Sequence, residues 1–157
     1  MFRRETDRFV HSELQKMPLE VGADRIARTA HSAVRLLGDV RQKIGAAIPL
    51  AWTPEYSGVA AIEVYPAATL RTRGLQASGY KKRSQTVERE RMVEGLGVRI
   101  VRTEDHRRMV ESADALDAAV CVLAGADFLR GEAMEPRDRV RAEKEGWIWF
   151  RSRRSSR

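Results

Sequence analysis

Two hydrophobic periods alternate along this chain, and together they mark out its elements. Residues 7–16 set Phe9, Val10 and Leu14 on one side of a short helix, closed by Met17-Pro18. Ile26, Ala30, Ala33, Leu37, Val40 and Ile44 then follow in steps of four and three, the stripe of a longer helix that Gly45 ends. Arg25, Arg28 and Arg35 fall off that stripe, so its outer face is basic. A loop from Pro49 to Gly58 leads into Val59-Ala60-Ala61-Ile62-Glu63-Val64-Tyr65, which reads as a largely buried strand ended by Pro66. Apolar residues on both of its faces predict a sheet covered on both sides.

Residues 67–74 predict a short helical segment, and Gly74 to Arg83 a loop with a basic end. Ser84 to Leu96 reads as a charged amphipathic helix with Val87, Met92 and Leu96 inward. Val98-Arg99-Ile100-Val101 is a short strand candidate, and Thr103 with Glu104 and Asp105 behind it caps a further turn. From about Ser112 to Arg130 the run is so apolar that it predicts a helix buried on most of its circumference. A polar helix over 136–145 and an aromatic strand, Trp147-Ile148-Trp149-Phe150, complete the order. Helices and strands interleaved in this way predict an α/β fold in one domain, residues 1–150, with a disordered basic tail over 151–157.

The buried helix contains the first chemical anomaly. Asp117 stands among alanine, leucine and valine, where a carboxylate loses hydration and needs a partner, a proton or a metal. Asp114, three residues earlier, shares its face, although an acid just after the Ser112 cap also stabilises a helix on its own. Glu63 is the second anomaly. It sits just before the end of an apolar strand, where α/β proteins place ligands, unless the strand is a half-exposed edge with Glu63 in water. Three acids on a strand and a helix suit Mg²⁺ or Mn²⁺ and two-metal phosphodiester cleavage.

Other chemistries lack their residues. His11, His31 and His106 are scattered, and no zinc spacing, phosphate-binding glycine loop or nucleophile elbow is present. Cys121 is the single cysteine and can form no intrachain disulfide. The balance of 29 Lys and Arg against 22 Asp and Glu gives +7, which favours a polyanion such as nucleic acid. The four arginines of 151–157 supply part of this, and without them the charge is about +3. Arg25, Arg28, Lys81 and Lys82 are the candidate nucleic-acid contacts, though a solvated loop also accounts for the lysines. No stretch approaches the ~20 apolar residues of a membrane span. The first residues lack a signal-peptide core, so a cytoplasmic protein without membrane partners is expected.

Several short motifs occur in a fixed order. They are Arg4-x-Thr6-Asp7-Arg8, Asp24-Arg25-Ile26, Glu63-Val64-Tyr65-Pro66-Ala67-Ala68, Gly79-Tyr80-Lys81, Asp114-Ala115-Leu116-Asp117-Ala118 and Glu145-Gly146-Trp147-Ile148. In this order they resemble an uncharacterised bacterial and archaeal family of predicted nucleases with the ribonuclease H-like fold. The resemblance covers nearly all of residues 3–150. It implies a mixed sheet flanked by helices, with metal-binding acids on the first strand, the fourth strand and the last helix. Glu63 matches the strand-four acid, and Asp114 and Asp117 the helix pair, with Ala113 where members often carry another acid.

Family members begin with a Gly-x-Asp strand and two further strands, whereas this chain opens at the Arg-x-Thr-Asp segment. The expectation is therefore a C-terminal portion, or a late or mis-assigned start, that lacks the first metal-binding aspartate. Three functional expectations follow. One is a metal-dependent nuclease, weak or inactive as an isolated chain, with Glu63, Asp114 and Asp117 as catalytic and metal-binding residues. Another is a non-catalytic nucleic-acid-binding or assembly protein that uses the basic helix and an open strand edge. The third is completion of the sheet by self-association along Val59–Tyr65, or by an N-terminal fragment.

Overall fold

A computed structural model describes residues 4–16, 18 and 24–152, with the backbone alone for residues 24–27. Seven helices are present among them: α1 (Glu5–Leu14), α2 (Asp24–Ile44), α3 (Pro66–Thr72), α4 (Thr86–Gly95), α5 (Thr103–Glu111), α6 (Ala113–Leu129) and α7 (Arg139–Glu145). They fall into two compact units, the first from Met1–Glu63 with Pro136–Trp147 and the second from Val64–Glu135 with Ile148–Arg157.

The expected α/β fold, a ribonuclease H-like mixed sheet, is not what the chain forms. The described residues contain no strand; isolated bridges join Leu50 to Ala61 and Ala133 to Arg151, and Glu63 and Ile148 are also bridge residues. The reason is pairing, because β-propensity becomes a strand only where a neighbouring segment supplies a ladder. Around residues 59–65 the pairing stays at isolated bridges: Ala51 N–H donates to Ala61 O at 2.8 Å and Ala61 N–H to Pro49 O at 2.9 Å, and Glu63 is a further bridge residue. Val59 is half exposed, and Pro66 opens α3 rather than simply ending a strand. Residues 98–101 lie between Gly97, in the left-handed region at φ +67°, and the start of α5, with no ladder. Trp147–Phe150 contributes core side chains, and the Met134 N–H to Phe150 O bond of 2.9 Å accompanies isolated bridges rather than a strand.

The first unit packs α1 on α7. Val10, Leu14, Ala142 and Trp147 are buried there, and the Phe9 and Trp147 rings lie 5.1 Å apart. The core of the second unit gathers Leu70, Tyr80, Met92, Val93, Leu96, Met109, Leu116 and Val120 from α3 to α6 and the loop before α4. Ser112 joins two of these helices. Its N–H donates to Arg108 O to end α5, and its side chain accepts from Ala115 N–H at 3.3 Å to start α6. Two burial expectations are revised. Val87 is 53% exposed, and α6 buries one stripe, Leu116, Val120, Ala124 and Phe128, while Val122 on its other side is 72% exposed. An all-round apolar helix lies open on one face because no sheet covers it. No described helix is long and apolar enough to cross a membrane.

Candidate functional site

In the first unit the acid that stands out in sequence is taken up by an arginine. Arg4 is the N-cap of α1, and Asp7 at the third helical position reaches back to its backbone N–H at 3.3 Å. The same arginine spans to Glu63, with Nη1 donating to Oε2 at 2.9 Å and Nη2 to Oε1 at 2.8 Å. Nη2 also donates to Asp7 Oδ1 at 3.1 Å, and Nη1 to Glu145 O at 3.4 Å. Burial alone would lower the arginine's proton affinity. Its bonds and charge contacts with Glu63 and Asp7 overcome that and raise it further. Gly146 makes the fit possible: it holds φ +86°, and a Cβ there would stand 2.9 Å from Glu63 Oε2 and 3.1 Å from Arg4 Nη1.

In the second unit Asp117 is met from the loop before α4. Tyr80, 2% exposed, donates its hydroxyl to Asp117 Oδ1 at 2.8 Å, and Lys81 pairs with Asp117 Oδ2. The lysine also lies 4.7 Å from the centre of the Tyr80 ring. Burial first, and the bond to Asp117 second, raise the Tyr80 hydroxyl well above its ordinary range. Burial likewise raises the Cys121 thiol, with the Asp117 charge adding to it. Asp114 stands exposed in the first turn of α6, where an acid favours the helix electrostatically.

Beneath this loop lies a residue that sequence reading passed over. Arg89, 1% exposed in α4, donates only to backbone carbonyls. Nε reaches Val110 O at 2.6 Å, Nη1 reaches Tyr80 O at 2.6 Å and Lys82 O at 2.8 Å, and Nη2 reaches Arg83 O at 3.2 Å and Glu111 O at 3.4 Å. Two of these carbonyls close α5, the negative end of its dipole, which suits a cation. The other three belong to residues 80–83. Drawing those carbonyls inward fixes the loop and leaves the Lys82 and Arg83 side chains in solvent. Lys82 N–H is held by Gln85 Oε1 at 2.8 Å, and Gly79 takes φ +77° at the loop entrance. No local signal singles out Arg89, since α4 reads Glu88-Arg89-Glu90-Arg91, like an exposed charged helix.

Asp127 was also passed over. It is 1% exposed and takes both its bonds from Arg73 Nη2, at 2.8 and 2.9 Å, with Arg151 Nη1 3.9 Å away. Arg151 pairs in turn with Glu132 at 3.1 Å, and residues 153–157 of the expected tail lie outside the described residues.

The sequence-derived acids are thus distributed: Glu63 lies in the first unit, held by Arg4, and Asp114 and Asp117 lie in the second. Both oxygens of Glu63 accept from a guanidinium, and those of Asp117 from a phenol and an ammonium. Each carboxylate is already held by a cation, so these residues as arranged do not fit Mg²⁺ or Mn²⁺ as ligands. Among the described residues no three His, Cys, Asp or Glu side chains are grouped to hold a metal. Of the expected nucleic-acid contacts, Lys82 and Arg28 are exposed and Lys81 is exposed but paired with Asp117. The Arg25 side chain lies outside the described residues.

Residues 1–141 match the model of a family described as a protein of unknown function (DUF429), and the chain belongs to that family. No curated protein and no solved structure matches it.

Proposed function

We propose that this is a non-catalytic nucleic-acid-binding protein whose loop at residues 79–85 engages the phosphate backbone through Lys82 and Arg83. The observation that carries the reading is the Arg89 tie. A buried guanidinium consumes the carbonyls of the loop and holds its cations outward before any ligand arrives. Residues 79–85 contain three cations and no acid, and Lys81 is the one whose charge is spent internally. A preordered loop loses less backbone freedom on binding than a flexible basic loop would. Phosphate contacts of this kind carry affinity without base specificity.

The competing reading is a metal-dependent nuclease built on Glu63, Asp114 and Asp117. It requires Arg4 and Lys81 to release their carboxylates so that a divalent cation can enter. Fluorescence anisotropy with labelled single- and double-stranded oligonucleotides decides between the two readings. Binding should weaken with salt, and Lys82→Ala with Arg83→Ala should lower the log–log salt slope by about 2, one per phosphate contact. The same oligonucleotides should stay intact with Mg²⁺ or Mn²⁺ present. Cleavage that disappears in Asp117→Asn would replace this reading with the nuclease.

A further inference from the structure

Helix α2 carries an arrangement independent of the basic loop. Its stripe, Ile26, Ala30, Ala33, Leu37, Val40 and Ile44, has the four-and-three step of a coiled-coil seam over three heptads. Ile26 is placed by register alone. Leu37 and Ile44 are 37% and 44% exposed, and Val34 and Leu36, the apolar flanks of the seam, are 69% and 62% exposed. Among the described residues, α2 packs on neither α1 nor α7 within its unit. A helix draws most of its stability from covering its apolar face, and this one also carries Gly38 near its middle. The seam therefore calls for a partner helix.

The order of residues along the seam identifies that partner. A second α2 turned end for end about position 35 sets Ile26 against Ile44, Ala30 against Val40 and Ala33 against Leu37. The two alanine layers then each meet a larger side chain, so the helices close together without voids. Val34 and Leu36 each flank their own counterpart near the two-fold axis. Arg41 and Lys43 lie beside Ala27 and Thr29, at the end that carries Asp24, and the helix dipoles oppose. A parallel pair would set alanine against alanine and bring both copies' Arg41 and Lys43 to one end. Arg28 and Arg35 remain on the outer face either way.

We infer that α2 is a homodimerisation element, forming an antiparallel two-helix coiled coil with a second copy of this chain. Sedimentation equilibrium of the full chain, free of nucleic acid, should show twice the monomer mass at high concentration. Leu37→Asp, which places a charge at two symmetry-related points of the seam, should return it to the monomer mass. A wild-type chain that stays monomeric throughout, or a dimer indifferent to Leu37→Asp, overturns the inference. Should Leu37→Asp aggregate, oxidation of mixed Ala33→Cys and Leu37→Cys chains, both also Cys121→Ser, gives the answer instead. The mixed disulfide, recognised by mass, is the expected product. Homodisulfides alone, or no cross-link, overturn the antiparallel pairing.

Discussion

Arg89 solves the problem of a buried cation without a carboxylate. The interior charge is met by five backbone carbonyls, which themselves need donors once they leave water. Arg89→Met keeps much of the volume but strands those carbonyls, at roughly 1–3 kcal/mol for each one that water does not reach, so a loss of at least about 3 kcal/mol is expected. Urea unfolding checks it, and a change within a few tenths would show the tie to be dispensable. Arg89→Lys should fall between, because an ammonium keeps the charge but has three donors and no planar fork. Either variant should also weaken oligonucleotide binding, since residues 80–83 lose their anchor.

At the scale of elements, α5 offers a pH-dependent case. Arg107 and Arg108, one turn along, hold the Glu104 carboxyl down to about 2 from its ordinary 4.5, chiefly through Arg107. A depressed carboxylate contributes stability that is complete above its unfolded value and lost as pH falls through the folded one. The contribution of Glu104 therefore fades between pH 4.5 and about 2. The urea midpoint of the wild type should drop more across that window than that of Glu104→Gln. Added salt should narrow the difference, because the side chains are exposed.

The helices were largely legible and the sheet was not. Periodic apolar spacing is a local property, so α1, α2, α4 and α6 begin and end within a few residues of where the pattern puts them. Strands depend on a neighbour that periodicity does not specify, which is why Val59–Tyr65 reads as a strand and forms isolated bridges, at Ala61 and Glu63. The site divides in the same way. Asp117 is visible as a carboxylate in an apolar run, and it does require a partner. That the partners are Tyr80 and Lys81, and that Arg4 occupies Glu63 from 59 positions away, depends on chain paths no local pattern encodes.

At the scale of the whole molecule, the first unit is discontinuous, built from Met1–Glu63 and Pro136–Trp147. Its ties are long: Glu5 N–H to Glu145 Oε2 joins residues 140 apart, and Arg4 to Glu145 O joins residues 141 apart. The bonds of Arg89 in the second unit span only 6 to 22 residues. Contacts that close long loops form slowly, so the α3–α6 core should gain hydrogen-exchange protection before α1 does. Pulse-labelling during refolding tests this, and simultaneous protection of the two would contradict it.

For a chain emerging from the ribosome, the same discontinuity imposes a schedule. Residues 5–14 leave the exit tunnel well before Ala142 and Trp147, which share their core, have been synthesised. Throughout the translation of the intervening unit, Val10 and Leu14 have no completed core to enter. The newly made α1 segment is thus a waiting client for a holding chaperone, and its vulnerable period lasts as long as the ribosome takes to reach Trp147.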